Sequence, residues 1–494
     1  MNGRLLVAYS NSSNYVSTTA EYLDAIARHS SWDVRYVHVT QGAQIDFDLN
    51  EFDAVFNSYC ARLIHDGYVS ADYISQLRSF RGVKLLAVQD EYERTDRLKA
   101  AITDIGFHAV LTCVPNGTIE RVYPRAAFPR TEFIKVLTGY VPEHLARRGR
   151  RAMPLRERPI HIGYRGRGIG GHYGRLGFLK FEIGRRMREI CETRAIPHDI
   201  EWSEAKRLYG EAWYDFIASC RATLGSESGS NVFDFDGSIE ETYQRLSAER
   251  GGPVPYQQFR AYTDPIERQY DMAQISPRVF EAAALRTPLV LFSGRYSGLI
   301  EPDTHYIELK EDFSNVDTVL ARLGDLAGLA SMADRAHRHL IASGEYGYPR
   351  FVGLVDELLE RKAAEIGLSL RSAPERLPQT EGGVGADPTA LQSLEERPTA
   401  KPRHFVFYQY KHAAREQARL NEQTALLTAE VARLNERYPA MIADCNAEIT
   451  RLRTEVARLN KHYPAMIADL NAEITRLRTD IGRLTGVHQG LQSV

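Results

Sequence analysis

The chain has 494 residues, too many for one hydrophobic core and enough for two domains of ordinary size plus an extension. With 62 Lys and Arg against 64 Asp and Glu its formal charge is −2, which gives no global electrostatic case for nucleic acid or an anionic membrane surface as a partner. The five cysteines, Cys60, Cys113, Cys191, Cys220 and Cys445, are scattered and lack Cys-x-x-Cys spacing, which argues against a disulfide framework or a zinc site and fits a reducing cytoplasm. Nowhere do about eighteen apolar residues follow one another, and the N-terminal run Leu5 to Tyr9 is too short for a signal-peptide core, so neither a membrane span nor an export signal is expected.

That run reads instead as a first buried strand, and the polar turn Ser10 to Asn14 leads from it into a helix around Thr18 to Arg28. Further apolar strands are expected at Val34 to Val39, Ala54 to Asn57, Lys84 to Val88 and Ala109 to Val114, separated by helical stretches such as Ala71 to Phe80 and Arg94 to Ile105. Alternation of this kind predicts an α/β domain over residues 1–150, a parallel, doubly wound sheet with binding loops at its strand ends. One such loop is Gln89-Asp90-Glu91-Tyr92. Acidic groups at a carboxyl strand end can orient an acceptor hydroxyl or assist proton transfer, which makes Asp90 and Glu91 the candidate catalytic residues; a capped, solvated loop is the other reading.

Arg147 to Arg158, with Pro154 and Pro159, reads as an interdomain linker. A second α/β unit over residues 158–366 opens with a strand, Ile160 to Tyr164, running into Arg165-Gly166-Arg167-Gly168-Ile169-Gly170-Gly171-His172. Glycines let the backbone approach a ligand closely and two arginines supply charge for a diphosphate. The spacing is neither the Walker nor the dinucleotide pattern, and a flexible basic loop is the bland alternative. Tyr209 to Thr223 reads as an amphipathic helix whose Trp213, Phe216 and Ile217 belong to the core, followed by a polar strand end from Gly225 to Asn231. Asp234-Phe235-Asp236 is a pair of the kind that can hold Mg²⁺ or Mn²⁺, but it reads here as a turn near the cleft, with no metal expected.

Ser276 is a good N-cap and Pro277 suits the first helical position, so a short helix should run through Val279, Phe280 and Ala282 to Ala284 before Thr287-Pro288 stops it and Leu289 to Phe292 form a strand. Arg278 lies in the first turn, where the helix dipole disfavours a cation and a bound anion is the simplest partner. Glu281, one turn on and flanked by Phe and alanines, can accept hydrogen bonds from sugar or ribose hydroxyls; a solvated helix face is the competing explanation. The run SPRVFEAAALRTPLV from Ser276, with GLIEPD from Gly298 to Asp303 and the strand His305 to Leu309, resembles the nucleotide-sugar-binding half of bacterial glycosyltransferases of the two-Rossmann GT-B fold. The likeness is to the group-1 branch that includes CgeB-like domains. It implies two Rossmann-like domains, the first for the acceptor and the second for the nucleotide sugar. It further implies that Glu281 contacts the ribose, and that Arg165, Arg167 and Lys180 hold the donor diphosphate with the helix end at Ser276 and Arg278. Retention of anomeric configuration, no essential metal and no cofactor beyond the nucleotide-sugar co-substrate follow from the same resemblance. Eight positions before Glu281, where many members carry a second Glu for the donor sugar, this chain has Ala273.

Helices at Val316 to Leu323 and Ser331 to Ala342 close the second unit, and the last, Tyr348 to Ile366, is one that in this family often crosses back onto the first domain. Residues 367–404, with Pro374, Pro378, Pro388, Pro398 and Pro402 and few large apolar side chains, predict a disordered linker. In residues 405–494, Leu434 to Arg458 recurs almost unchanged as Leu459 to Arg483, a period of about twenty-five residues that carries a heptad seam and places a stutter at Pro439 and Pro464. A C-terminal α-helical coiled coil is expected, its seam covered by self-association or by another protein. The combined expectation is a cytoplasmic glycosyltransferase, with peripheral contact at the inner membrane left open. It would move a sugar from a nucleotide-diphosphate donor to a glycan or lipid-linked acceptor in bacterial surface-polysaccharide assembly. The rival is a catalytically degenerate GT-B scaffold or carbohydrate-binding protein assembled through its coiled coil, a reading that Ala273 favours.

Overall fold

Apolar runs without polar alternation need cover on both faces, which a parallel sheet between helix layers supplies. A computed structural model describes residues 3–12, 17–149 and 152–371 together with scattered positions between 451 and 483. In its first half the strands are β1 (Arg4–Tyr9), β2 (Asp33–His38), β3 (Ala54–Asn57), β4 (Val83–Ala87), β5 (Ala109–Thr112) and β6 (Glu132–Lys135). They form one six-stranded sheet in the order β2-β1-β3-β4-β5-β6, parallel throughout. Helices α1 (Ser17–His29), α2 (Ala71–Ser79), α3 (Thr95–Ile105), α4 (Asn116–Val122) and α5 (Glu143–Arg148) connect and follow them. The central strands β3, β4 and β5 are buried along their whole length, and Lys84 within β4 donates its ammonium to the carbonyls of Arg78 at 3.2 Å and Ile105 at 2.8 Å.

The second sheet holds β7 (Ile160–Arg165), β8 (His198–Glu201), β9 (Cys220–Gly225), β10 (Leu289–Phe292) and β11 (Ile307–Leu309). Its five strands are again parallel, in the order β11-β10-β9-β7-β8. Around it lie α6 (Gly174–Thr193), α7 (Gly210–Ser219), α8 (Ser238–Arg250), α9 (Tyr256–Glu267), α10 (Pro277–Ala284), α11 (Val316–Gly324) and α12 (Leu326–His337). The chain is therefore α/β with two Rossmann-like parallel sheets. The run Tyr209 to Thr223 is not one helix, since α7 ends at Ser219 and Cys220 opens β9 by pairing with Ile160. That junction closes over a glycine: a Cβ on Gly163 would meet Cys220 Sγ at 2.1 Å.

The last helix, α13 (Tyr348–Glu365), joins the core of the first sheet rather than the second. Its Phe351 ring lies 5.4 Å from Tyr22, and Asp356 accepts hydrogen bonds from Ser30 Oγ at 2.7 Å and Ser31 N at 2.6 Å. Arg158, at the end of the expected linker, is buried and donates to the Cys220 carbonyl and Thr287 Oγ1 of the second lobe. Cys60, Cys113, Cys191 and Cys220 are buried, and no disulfide joins them. Among the described residues no helix is long and apolar enough to cross a membrane.

Beyond residue 379 the chain forms a separate unit, in which the described positions, Thr475, Arg476 and Thr479 among them, are helical. Arg476 pairs there with Glu473 at 2.6 Å. The expected linker from residue 372 onward and the heptad seam, on which self-association rests, lie outside the described residues.

Candidate functional site

In an open parallel sheet, two neighbouring strands whose connections leave in opposite directions hold a crevice at their carboxyl ends. In the second sheet that pair is β7 and β9, since β7 connects outward to β8 on one side and β9 lies on the other. The ends of both strands, with the amino end of α10, open onto a cleft with about 1020 Å³ of empty space. Arg165, Arg167, Lys180, Ser276, Arg278 and Glu281 all line it, as do Thr18 from α1, Trp213 from α7, and Ser226 and Ser228 beyond β9. Chain distance hides this convergence: β7 and α10 are brought together only by the sheet order.

The six side chains are not equivalent. Successive residues of a strand point to opposite faces, so Tyr164 and Arg165 part company. Arg165 turns to its neighbour strand, where it pairs with Asp199 at 2.7 Å and lies over the Phe216 ring at 4.1 Å. Its charge is thus neutralised within the sheet, in contrast to the diphosphate contact expected of it. Arg278 reaches back instead, donating to the Arg165 carbonyl at 2.6 Å and lying over the rings of Tyr164 at 4.8 Å and Trp213 at 5.3 Å. Its Nε is buried without a partner among the described residues. Arg167 is exposed at the cleft edge.

Lys180 has no hydrogen-bond or ion-pair partner for its ammonium among the described residues, and burial pushes it down to about 8. Asp90 pulls the other way across the cleft, while Arg278 and Arg167 add to the depression. Opposing these cations is Glu281, nearly buried and accepting from Trp213 Nε1 at 2.8 Å; burial raises its carboxyl above the usual range, against the pull of that bond and of Arg278. Ser276 occupies the N-cap position in an extended conformation; its hydroxyl makes no capping bond, Pro277 has no N–H, and the Val279 N–H is donated to the Ser276 carbonyl at 2.9 Å. Cations crowded round one carboxylate form a site for an anion that also carries hydroxyls.

Asp90 and Glu91 lie elsewhere. Asp90 accepts from Arg62 and from the Tyr92 hydroxyl, both at 2.7 Å, and acts on the cleft through its charge on Lys180. Glu91 points into the first lobe, fully buried, where it accepts from Thr112 Oγ1 at 2.5 Å, the Cys113 N–H at 3.1 Å and the Tyr123 hydroxyl at 3.3 Å. Burial raises it to about 8 against those three donors, and no wall of the cleft includes it. Asp234 spends its carboxylate on the N–H groups of Gly237 at 3.0 Å, Ile239 at 3.2 Å and Glu240 at 2.9 Å, capping α8 as a turn residue does. Trp213, read from its spacing as core, does pack against the core of the second lobe, and it also donates to Glu281 and lies under the Arg278 guanidinium. Tyr209, exposed at the mouth with the Arg207 guanidinium 5.0 Å above its ring, gave no distinguishing signal in the sequence.

No protein-family model and no curated protein matches the chain. Among solved structures, HepE of Anabaena in complex with UDP-glucose is similar over 74% of this chain and 100% of that one, at 10% identity and a TM-score of 0.40. A glycosyltransferase from Rickettsia africae is similar over 73% and 98%, at 11% identity and 0.34. TarM is similar over 64% of this chain, which spans 55% of its length, at 10% identity and 0.33. At TM-scores below 0.5 these likenesses leave activity and substrate to be argued from the site itself.

Proposed function

We propose that the chain is a glycosyltransferase whose second lobe binds a nucleoside-diphosphate sugar in the β7/β9 cleft and passes the sugar to an acceptor hydroxyl presented by the first lobe. The observation that carries this reading is the pairing of an unpartnered Lys180, its charge disfavoured by burial, with Arg278, beside a carboxylate held by Trp213. The diphosphate would lie between the cations, which stabilise the negative charge that develops as it leaves. Glu281 would accept the ribose hydroxyls. Retention of configuration and independence of metal remain part of the proposal through the family resemblance.

Titration of the protein with nucleoside diphosphates and nucleotide sugars by thermal shift and calorimetry tests it. The expected result is saturable binding of a ribonucleoside diphosphate, at least tenfold weaker for the 2′,3′-dideoxy analogue, with that preference abolished in Glu281→Ala. Absence of binding across the panel, or an undiminished ribose preference in the variant, would overturn the reading.

The pH dependence has a definite sign. Lys180 is charged below about 8, so diphosphate affinity should be flat up to neutrality and fall, by up to about tenfold per pH unit, as the ammonium is lost above that value. Stability should move the other way. The unfolded chain keeps this proton to a higher pH than the folded one, so between about 8 and the ordinary lysine value the contribution of Lys180 to folding becomes more favourable. Calorimetry of binding and urea melts across the same pH range separate the two trends.

A further inference from the structure

Beside the cationic cleft lies a second, more enclosed chamber with a volume of about 150 Å³, bounded by the carboxyl ends of the first sheet, α1, α10 and α13. The two cavities share Thr18 and Glu281 as wall residues, so whatever fills the chamber abuts the cleft where the sugar of a nucleotide donor would be presented. Its lining carries the rings of Tyr22, Tyr59, Tyr140, Phe280, Tyr348 and Phe351, with Thr18, Gln89 and Thr138 as polar wall residues beside Glu21 and Glu281. Much of their polar capacity is already committed: the Tyr59 hydroxyl is bonded to Thr19 at 3.1 Å, and that of Tyr140 accepts from the Leu137 N–H at 3.2 Å.

Two polar groups in this wall stand out. The Tyr22 side chain is 6% exposed, yet its hydroxyl is enclosed and has no hydrogen-bond partner among the described residues. Leaving such a group unpaired costs free energy that a bound oxygen atom would recover. Next to it in sequence, Glu21 also lines the chamber, its carboxylate accepting from the Tyr214 hydroxyl at 3.2 Å and lying 3.4 Å from His144 Nε2. Burial raises this carboxyl to about 7, opposed by Tyr214 and reinforced by Glu281.

We propose that the chamber is a binding site for a flat aryl alcohol, whose hydroxyl donates to Glu21 and whose ring system fills the aromatic pocket, with Tyr22 donating to an oxygen of the same ligand. Such a molecule offers ring faces to the tyrosines and phenylalanines and a single hydroxyl to the buried carboxylate. That this ligand is the sugar acceptor rests on the transferase reading; the site itself does not. Glu21 and Tyr22 are acceptor-binding residues in this account, and the glycan or lipid-linked acceptor expected from the sequence gives way to an aryl alcohol.

The test uses 2-naphthol as the probe, followed by its own fluorescence, with methyl β-D-glucopyranoside as the sugar control and the nucleoside-diphosphate titration run in parallel on the same protein. Saturable 2-naphthol binding, weakened at least fivefold by Glu21→Gln and by Tyr22→Phe while nucleotide binding is unchanged, is the expected result. Tyr22→Phe removes only an unpaired hydroxyl, so its unliganded Tm should equal or exceed that of the wild type; a merely structural tyrosine would give a lower Tm and unchanged naphthol affinity. No saturable binding of 2-naphthol, binding indifferent to both variants, or binding of the glucoside in its place overturns the proposal. Naphthol binding without nucleotide binding keeps the chamber and removes the transferase reading; nucleotide binding without naphthol binding does the reverse.

Discussion

Lys180→Met is expected to lower the rate of sugar transfer by about 10²- to 10³-fold, or about 3–4 kcal/mol of transition-state stabilisation, while leaving the folded protein at least as stable as the wild type. Both halves follow from one fact. The Lys180 ammonium is held in a cleft where burial has pushed it down to about 8 and no carboxylate of the described residues bonds to it. An unpaired, partly desolvated charge costs folding free energy, so an apolar side chain of similar length removes a penalty rather than a bond. The same charge is what a departing diphosphate meets in the cleft. Release of nucleoside diphosphate from the donor found by titration, read in single turnovers beside a urea melt, measures the two effects on the same preparation. Loss of stability together with unchanged turnover would make Lys180 a packing residue and leave Arg278 as the principal cation of the cleft.

Much of this architecture is legible in the sequence because it depends on local pattern. The largely apolar runs of β3, β4 and β5 point to a doubly covered sheet, and Pro277 with the alanines after Glu281 specify a short helix packed tightly by its small face. The convergence of Arg167, Lys180, Ser276, Arg278 and Glu281 on one cleft was legible through family resemblance and the rule that strand ends carry sites. The orientation of individual side chains was not. Asp90 and Glu91 are neighbours in a loop, yet one faces Arg62 and the other is sealed against Thr112 and Tyr123. Arg165 follows Tyr164 in a strand, and alternation sends it to Asp199. Tertiary partners decided the rest: Trp213 has the spacing of a core residue and uses its indole N–H on Glu281, and Glu21 and Tyr22 acquire meaning only when α10 and α13 close over α1.

Arg158→Met should destabilise the protein by about 3–5 kcal/mol, a large share of the roughly 5–15 kcal/mol that holds an ordinary domain. Composition places Arg158 in a basic linker, where arginines are normally solvated; the fold buries it to 1% exposure. Its guanidinium donates to the carbonyls of Met153 at 2.9 Å, Cys220 at 2.9 Å and Leu285 at 3.2 Å and to Thr287 Oγ1 at 2.7 Å. No carboxylate takes part, and burial lowers this group to about 10, so the charge is carried by aligned carbonyl dipoles, among them the C-cap of α10. Met fills the volume but leaves those acceptors dry, and Arg158→Lys should recover only part of the loss because an ammonium cannot match the planar fork. The consequence reaches the site, since Arg158 fixes the carboxyl end of the short helix whose amino end, with Arg278 and Glu281, forms the floor of the cleft. The urea midpoint should therefore fall in Arg158→Met, and nucleotide affinity measured well below that midpoint should fall with it. An unchanged midpoint would mean that the carbonyls are hydrated when the arginine is gone and that the linker, not its last residue, holds α10 in place.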